Sequence, residues 1–375
     1  MRRVSTRLPV ILVVLSLTLG LTLLGVHPTR AQEAAFSGGG QVGGDAYQYG
    51  AAPYALTYQD AIYEYATGKD GKGYYTVYDG TAYAPWAGWD DQPADYGYQP
   101  NAVAYKEWNN VFYTGKDGHI YHNGYDGNAW KGWQDISGDY TYADAPYSSV
   151  YGDVLYLYAS GKDGTPYYNS YDGDAWSGWE TWQDAPKTKY QPYALDWGDH
   201  ANVFYTADDG KVYWNRYDGA AWSGYKALTG DGTYVYEPYA VASDDHLYAY
   251  TVSGDGVPHY NTFADDDGWS GWTAYATAPP AKVKYQPSAY VYDDTQHVIY
   301  TGDDGHAYYA SYKGEWSDWQ DLGDNYAYDP YTYEYGDNYY LTYTGTDGYI
   351  YVKPYAADGG APDDGYAEPT PTPGY

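Results

Sequence analysis

The chain has 375 residues, with 19 Lys and Arg against 50 Asp and Glu, no cysteine and 58 tyrosines. A net charge of −31 excludes the basic surface that nucleic acid or anionic lipid requires. The absence of cysteine excludes both a disulfide scaffold and thiol chemistry.

Residues 1–31 read as a signal peptide: Arg2, Arg3 and Arg7 precede an apolar run from Leu8 to Val26, and Thr29, Arg30 and Ala31 suit cleavage. The same run is long enough for a retained membrane anchor, although Ser16, Thr18, Gly20 and Thr22 dilute it. The expectation is a secreted or cell-surface protein with no membrane contact after cleavage. Removing 1–31 takes away four arginines and no acid, so 15 basic residues face 50 acidic ones, a net −35. Arg216 is then the sole arginine.

Residues 32–50 read as a closing strand and a linker. "AAFSGGGQV", from Ala34 to Val42, echoes "DAWSGWETW" and "AAWSGYKAL" further on, with Phe36 standing where Trp176 and Trp222 stand.

From 51 to 355 the chain repeats itself. Asp-Gly pairs begin at Asp70, Asp117, Asp163, Asp209, Asp255, Asp304 and Asp347, at steps of 47, 46, 46, 46, 49 and 43 residues. A period in the forties built from short strands and turns is the signature of a β-propeller blade. Each Asp-Gly suits a hairpin turn because glycine accepts positive φ. "YQPNAVAY", "NNVFYT", "HIYHNGY" and a Trp-rich stretch give four strands per unit. The predicted fold is all-β: seven four-stranded antiparallel blades, the seventh completed by the N-terminal strand. That strand would close the ring within one chain or, if donated to a neighbouring molecule, build filaments. Blades alternate in type, "YQP" leading units two, four and six, so two odd-type blades meet where the ring closes. Residues 356–375, rich in Pro, Gly and acid, read as a disordered tail.

Candidate binding residues are those that depart from the repeat. The pairs Trp86/Trp89, Trp130/Trp133, Trp176/Trp179, Trp269/Trp272 and Trp316/Trp319, with Trp222/Tyr225, read as inter-blade packing. Trp108, Trp182, Trp197 and Trp214 have no counterpart in most units. Trp197, Trp214 and Arg216 concentrate in the fourth blade, and an aromatic platform beside a forked donor suits a pyranose. The same trio also fits an ordinary cation–π contact or surface ion pair. Trp108 and His122 join them as candidate sugar-binding residues. The histidines form no metal pattern, and calcium has only the acidic "ADDDG" at Ala264 in its favour, without EF-hand spacing. Nucleophile-elbow, zincin and phosphate-loop motifs are absent, and a sialidase needs several arginines, so no enzyme is expected.

At "GKDGHIYHNGYDGNAWKGWQDI" the chain resembles the seven-bladed bacterial propeller lectins of the fucose-binding PLL type, over about Ala51 to Tyr355. The resemblance implies shallow sugar sites between adjacent blades, with glycans or cell-surface polysaccharide as partners. Beside this carbohydrate-binding reading stands a second, in which a tyrosine-rich matrix or surface protein self-associates through its aromatic faces.

Overall fold

The computed structural model describes residues 35–36, 39–44, 46–182, 184–228, 230, 232–323, 325–336 and 338–356. The signal segment, and all but the first residue of the tail predicted at 356–375, lie outside these. The described residues form strands, turns and bridges, and no helix. Seven antiparallel sheets ring the molecule, six with strands a to d in chain order and the seventh taking its outer strand from residues before the first. The a strands flank one another in a ring around the axis, and d lies at the rim. In blade 2 the strands are Asn101–Tyr105, Trp108–Thr114, Ile120–Tyr125 and Gln134–Asp135. In blade 4 they are Tyr193–Trp197, His200–Thr206, Val212–Tyr217 and Lys226–Ala227.

The Asp-Gly pairs are the b–c hairpin turns, as the sequence predicts. Gly118 and Gly210 hold φ at +89° and +77°, a region that a side chain would strain. The Asp of the turn also anchors strand c, because its carboxylate takes the phenol of the tyrosine four residues on. Tyr74–Asp70, Tyr121–Asp117, Tyr213–Asp209, Tyr308–Asp304 and Tyr351–Asp347 all bond this way, at 2.6 to 2.8 Å. Hydroxyls lash several blades to the next: Thr67, Thr114, Ser160 and Thr344 donate to the carbonyls of Tyr98, Asp144, Tyr190 and Ala51.

Tyrosine accounts for much of the interior. Around the axis Tyr54 packs on Tyr331 with centroids 4.5 Å apart, Tyr147 on Tyr193 at 4.6 Å, and Tyr193 on Tyr239 at 4.5 Å. Tyr65, Tyr96, Tyr113, Tyr158 and Tyr300 are fully buried between blades. Among the described residues only Tyr140 and Tyr292 stand out as exposed tyrosines, so the tyrosine excess serves the core far more than the surface.

The ring closes across its termini. Ala35–Phe36 and Gly40–Gln41 pair antiparallel with strand c of blade 7, Ile350–Ala356, placing Phe36 opposite Tyr355 and Gln41 opposite Tyr351. Trp176 faces Tyr171 and Trp222 faces Tyr217 in the same way, so Phe36 fills the tryptophan slot. The Val42 N–H donates to Ile350 O at 2.8 Å, as Leu228 does to Val212 O.

Two aromatic assignments change. Tyr83 bridges Tyr78 where Trp130 bridges Tyr125, so Tyr83 and Trp86, not Trp86 and Trp89, are the first blade's counterparts of Trp130 and Trp133. Trp89 instead matches Trp182: each stacks at 6.3 Å and 10° on a buried tyrosine of its own blade, Tyr65 and Tyr158 respectively. Trp182 therefore belongs to the alternation of blade types.

Candidate functional site

Between blades 2 and 3 lies a cleft of about 340 Å³. Its floor comes from strands b and c of blade 2, where Asn110 pairs with Gly124 and Phe112 with His122. Its far wall is the c–d turn of blade 3, from Tyr171 to Trp176. Trp108, at the start of strand b, is 38% exposed at the mouth, an unusual position for tryptophan in this molecule.

Gly124 has no side chain, and the Trp108 indole packs against it. A Cβ there would stand 3.0 Å from Trp108 Cε3, a tight contact that the indole would have to yield to by a few tenths of an ångström. Asn110 beneath it fixes both neighbours: its Nδ2 donates to Trp108 O at 3.2 Å, and its Oδ1 faces His122 Nε2 at 2.9 Å. With Oδ1 accepting, His122 carries its proton on Nε2 and leaves Nδ1 as an acceptor. Burial pushes the His122 imidazole down to about 4, so it is neutral at ordinary pH. Phe112 stacks beneath it at 4.8 Å, and Trp176 meets it edge-on at 5.7 Å.

Two lysines flank the mouth. Lys131 lies 5.5 Å from the Trp108 ring centre and pairs with Asp126. That partner and the backbone N–H groups of Ala129 and Asn128 hold the Asp126 carboxyl down to about 2. Lys106 reaches across the junction to Asp172 O at 2.5 Å, over Gly173, where a Cβ would collide with Nζ. Gln134 and Asp174 complete the polar lining. An aromatic surface ringed by fixed donors and acceptors in a concave cleft is the chemistry of a small polar ligand with an apolar face.

The five sequence-predicted residues thus fall in two places. Trp108 and His122 line this cleft. Trp197, Trp214 and Arg216 come together at the junction of blades 4 and 5, with their ring faces against protein. Trp214 is 7% exposed and packs on Phe263 and Trp269. The Arg216 guanidinium sits 5.6 Å from the Trp197 ring centre and 5.5 Å from that of Phe263. It donates to Asp265 at 2.8 Å and lies 3.0 Å from His200 Nδ1. Asp265 belongs to the acidic stretch considered for calcium, and its carboxylate takes this arginine. Among the described residues no three His, Asp or Glu side chains gather as a metal cage.

Sequence reading missed Gly124, Asn110 and Lys131. The signal was available: strand c carries Val77, Gly124, Ser170, Arg216, Thr262, Ser311 and Pro354 at one register, and only blade 2 has glycine there.

No protein-family model matches the chain, and no curated protein does. Solved structures do match. The BP39L lectin from Burkholderia pseudomallei superimposes with a TM-score of 0.70 at 15% identity, over 84% of this chain and 98% of that one. A mutant of the Aleuria aurantia lectin in complex with alpha-methyl-L-fucoside gives 0.50 at 12% identity, over 74% and 96%. BBS1N, from its complex with ARL6DN, gives 0.57 at 14% identity, over 86% and 96%. At such identities the likeness establishes the propeller fold alone.

Proposed function

We propose that the chain is a non-catalytic, carbohydrate-binding propeller of the cell exterior whose open site is the cleft between blades 2 and 3. The observation that carries the reading is Trp108, exposed at the mouth of the cleft with its indole seated on Gly124, beside the acceptor of a neutral His122. A pyranose would lay its C–H face on the indole and hold its hydroxyls to His122, Lys131 and Gln134. Propeller neighbours that are themselves lectins support the reading at the level of fold.

Trp108→Ala tests it. The residue is exposed, so its loss costs the fold little, while the ligand loses its platform. Binding to the best glycan on a broad array should weaken about tenfold, the scale of one aromatic contact, with the melting temperature unchanged. Equal binding by both proteins would remove the cleft from consideration.

A further inference from the structure

Blades 2 and 4 carry the same site twice. Strand b offers Asn110 in one and Asn202 in the other, where blades 1, 3, 5 and 7 place Tyr63, Tyr156, Tyr248 and Tyr340, and blade 6 places His297. The two asparagines act alike. Asn202 Nδ2 donates to His200 O at 3.2 Å, as Asn110 does to Trp108 O, and Oδ1 takes Trp214 Nε1 at 3.0 Å, as Asn110 faces His122. The far walls agree as well. Trp269 meets Phe204 at 5.9 Å and 88° and Trp214 at 5.5 Å and 81°; Trp176 meets Phe112 at 5.9 Å and 84° and His122 at 5.7 Å and 80°. Two differences stand out: strand c has Gly124 in blade 2 and Arg216 in blade 4, and strand b opens with Trp108 in one and His200 in the other.

The geometry points to Arg216 as a built-in plug: the junction of blades 4 and 5 is a second, latent ligand site, filled by the guanidinium of its own chain. Arg216 runs between Trp197 and Phe263, and these rings stand at the register of Tyr105 and Tyr171, which line the open cleft. Its side chain is 16% exposed, while Nε is buried without a hydrogen-bond partner. Two polar contacts and two ring faces hold the plug, so a full set of donors is not what keeps it there. The guanidinium is itself a flat group with donors at its edge, and it fills the slot between aromatic rings that a small ligand needs. The inference rests on the carbohydrate reading of the blade 2–3 cleft and adds that valency is set by strand c.

The test removes the plug. Arg216→Ser borrows the residue that blades 3 and 6 use at this register, as Ser170 and Ser311, and the double variant W214H/R216G gives strand c of blade 4 the two residues that blade 2 has there. Each protein is screened on a glycan array, and the best glycan is titrated by calorimetry, with thermal melts to confirm folding. The expected result is one site per chain in wild type and two in either variant, the second removed by adding Trp197→Ala. Wild type and both folded variants binding once would overturn the plug and leave the first site standing. Two sites in wild type, one of them lost in Arg216→Ser, would also overturn it, because Arg216 would then be a ligand contact. Binding by the variants but not by wild type would uphold the latent site and remove the reading of the blade 2–3 cleft. No binding by any of the proteins would overturn both.

Discussion

At the scale of single residues, function here turns on what is missing. Gly124 lets the indole of Trp108 lie close against the strand, within 3.0 Å of where a Cβ would be, and Asn110 keeps the floor low where four other blades raise a tyrosine. Gly124→Ala should therefore weaken glycan binding, by roughly tenfold if one aromatic contact is lost. Stability should hold or rise slightly, since glycine is a poor strand residue. Calorimetric titration beside a melt checks both halves; unchanged affinity would show that Trp108 tolerates the shift. Subtractions of this kind are hard to see in a sequence. Trp214 and Arg216 drew attention because they are large and rare, and the structure spends them on Asn202, Asp265 and each other's neighbours. The open cleft is written in a glycine and an asparagine, which look like ordinary strand and turn residues until seven copies are laid in register.

At the scale of elements, the turns made the fold legible. An Asp-Gly pair fixes its own backbone with a positive-φ glycine and a carboxylate that caps the following N–H, so each hairpin is decided within a few residues. Seven of them at a near-constant step leave little choice of architecture. The phase of the first Trp pair was not legible, because Trp-Ala-Gly-Trp reads the same in either register and only the Tyr78–Tyr83 bridge separates them. The closing strand was legible because its glycine-rich motif repeats that of the outer strands. Phe36 is its anchor: 3% exposed, it meets Tyr290, Tyr309 and Tyr355 edge-on at 5.9, 6.5 and 5.5 Å. Phe36→Ala should cost about 3 kcal/mol or more, the usual penalty for emptying a buried aromatic site. Deleting residues 32–45 should go further and expose strand c of blade 7 as an edge that associates. Denaturant midpoints and light scattering report the two effects. A deletion variant that stays monomeric with an unchanged midpoint would mean that the strand does not close the ring.

At the scale of the whole molecule, an odd number of alternating blades leaves one junction unlike the rest, and there the chain has buried a carboxyl. Glu64 stands on strand b of blade 1 at the register that Val111, Leu157, Val203, Ala249, Val298 and Leu341 occupy elsewhere. It is fully buried and accepts from Tyr83 of its own blade at 2.8 Å and from Tyr333 and Thr342 of blade 7 at 3.3 Å each. All of these partners are neutral hydroxyls, and burial pushes the carboxyl up to about 7. The folded state therefore keeps a proton that the unfolded chain releases above its ordinary value near 4.5. Stability from this group is fully present below that value and is lost as pH rises toward 7, at no more than about 1.4 kcal/mol per pH unit. Asp144 shifts in the same direction, to about 6, while the lowered His122 and His297 oppose it at acid pH. The wild-type profile is thus a sum, and the comparison with Glu64→Gln isolates one member. The amide cannot release a proton, so its denaturant midpoint should fall less than that of wild type between pH 5 and 8. The two curves should diverge across that window and run parallel above it. Parallel curves throughout would mean that the seam between blades 7 and 1 does not sense pH through Glu64.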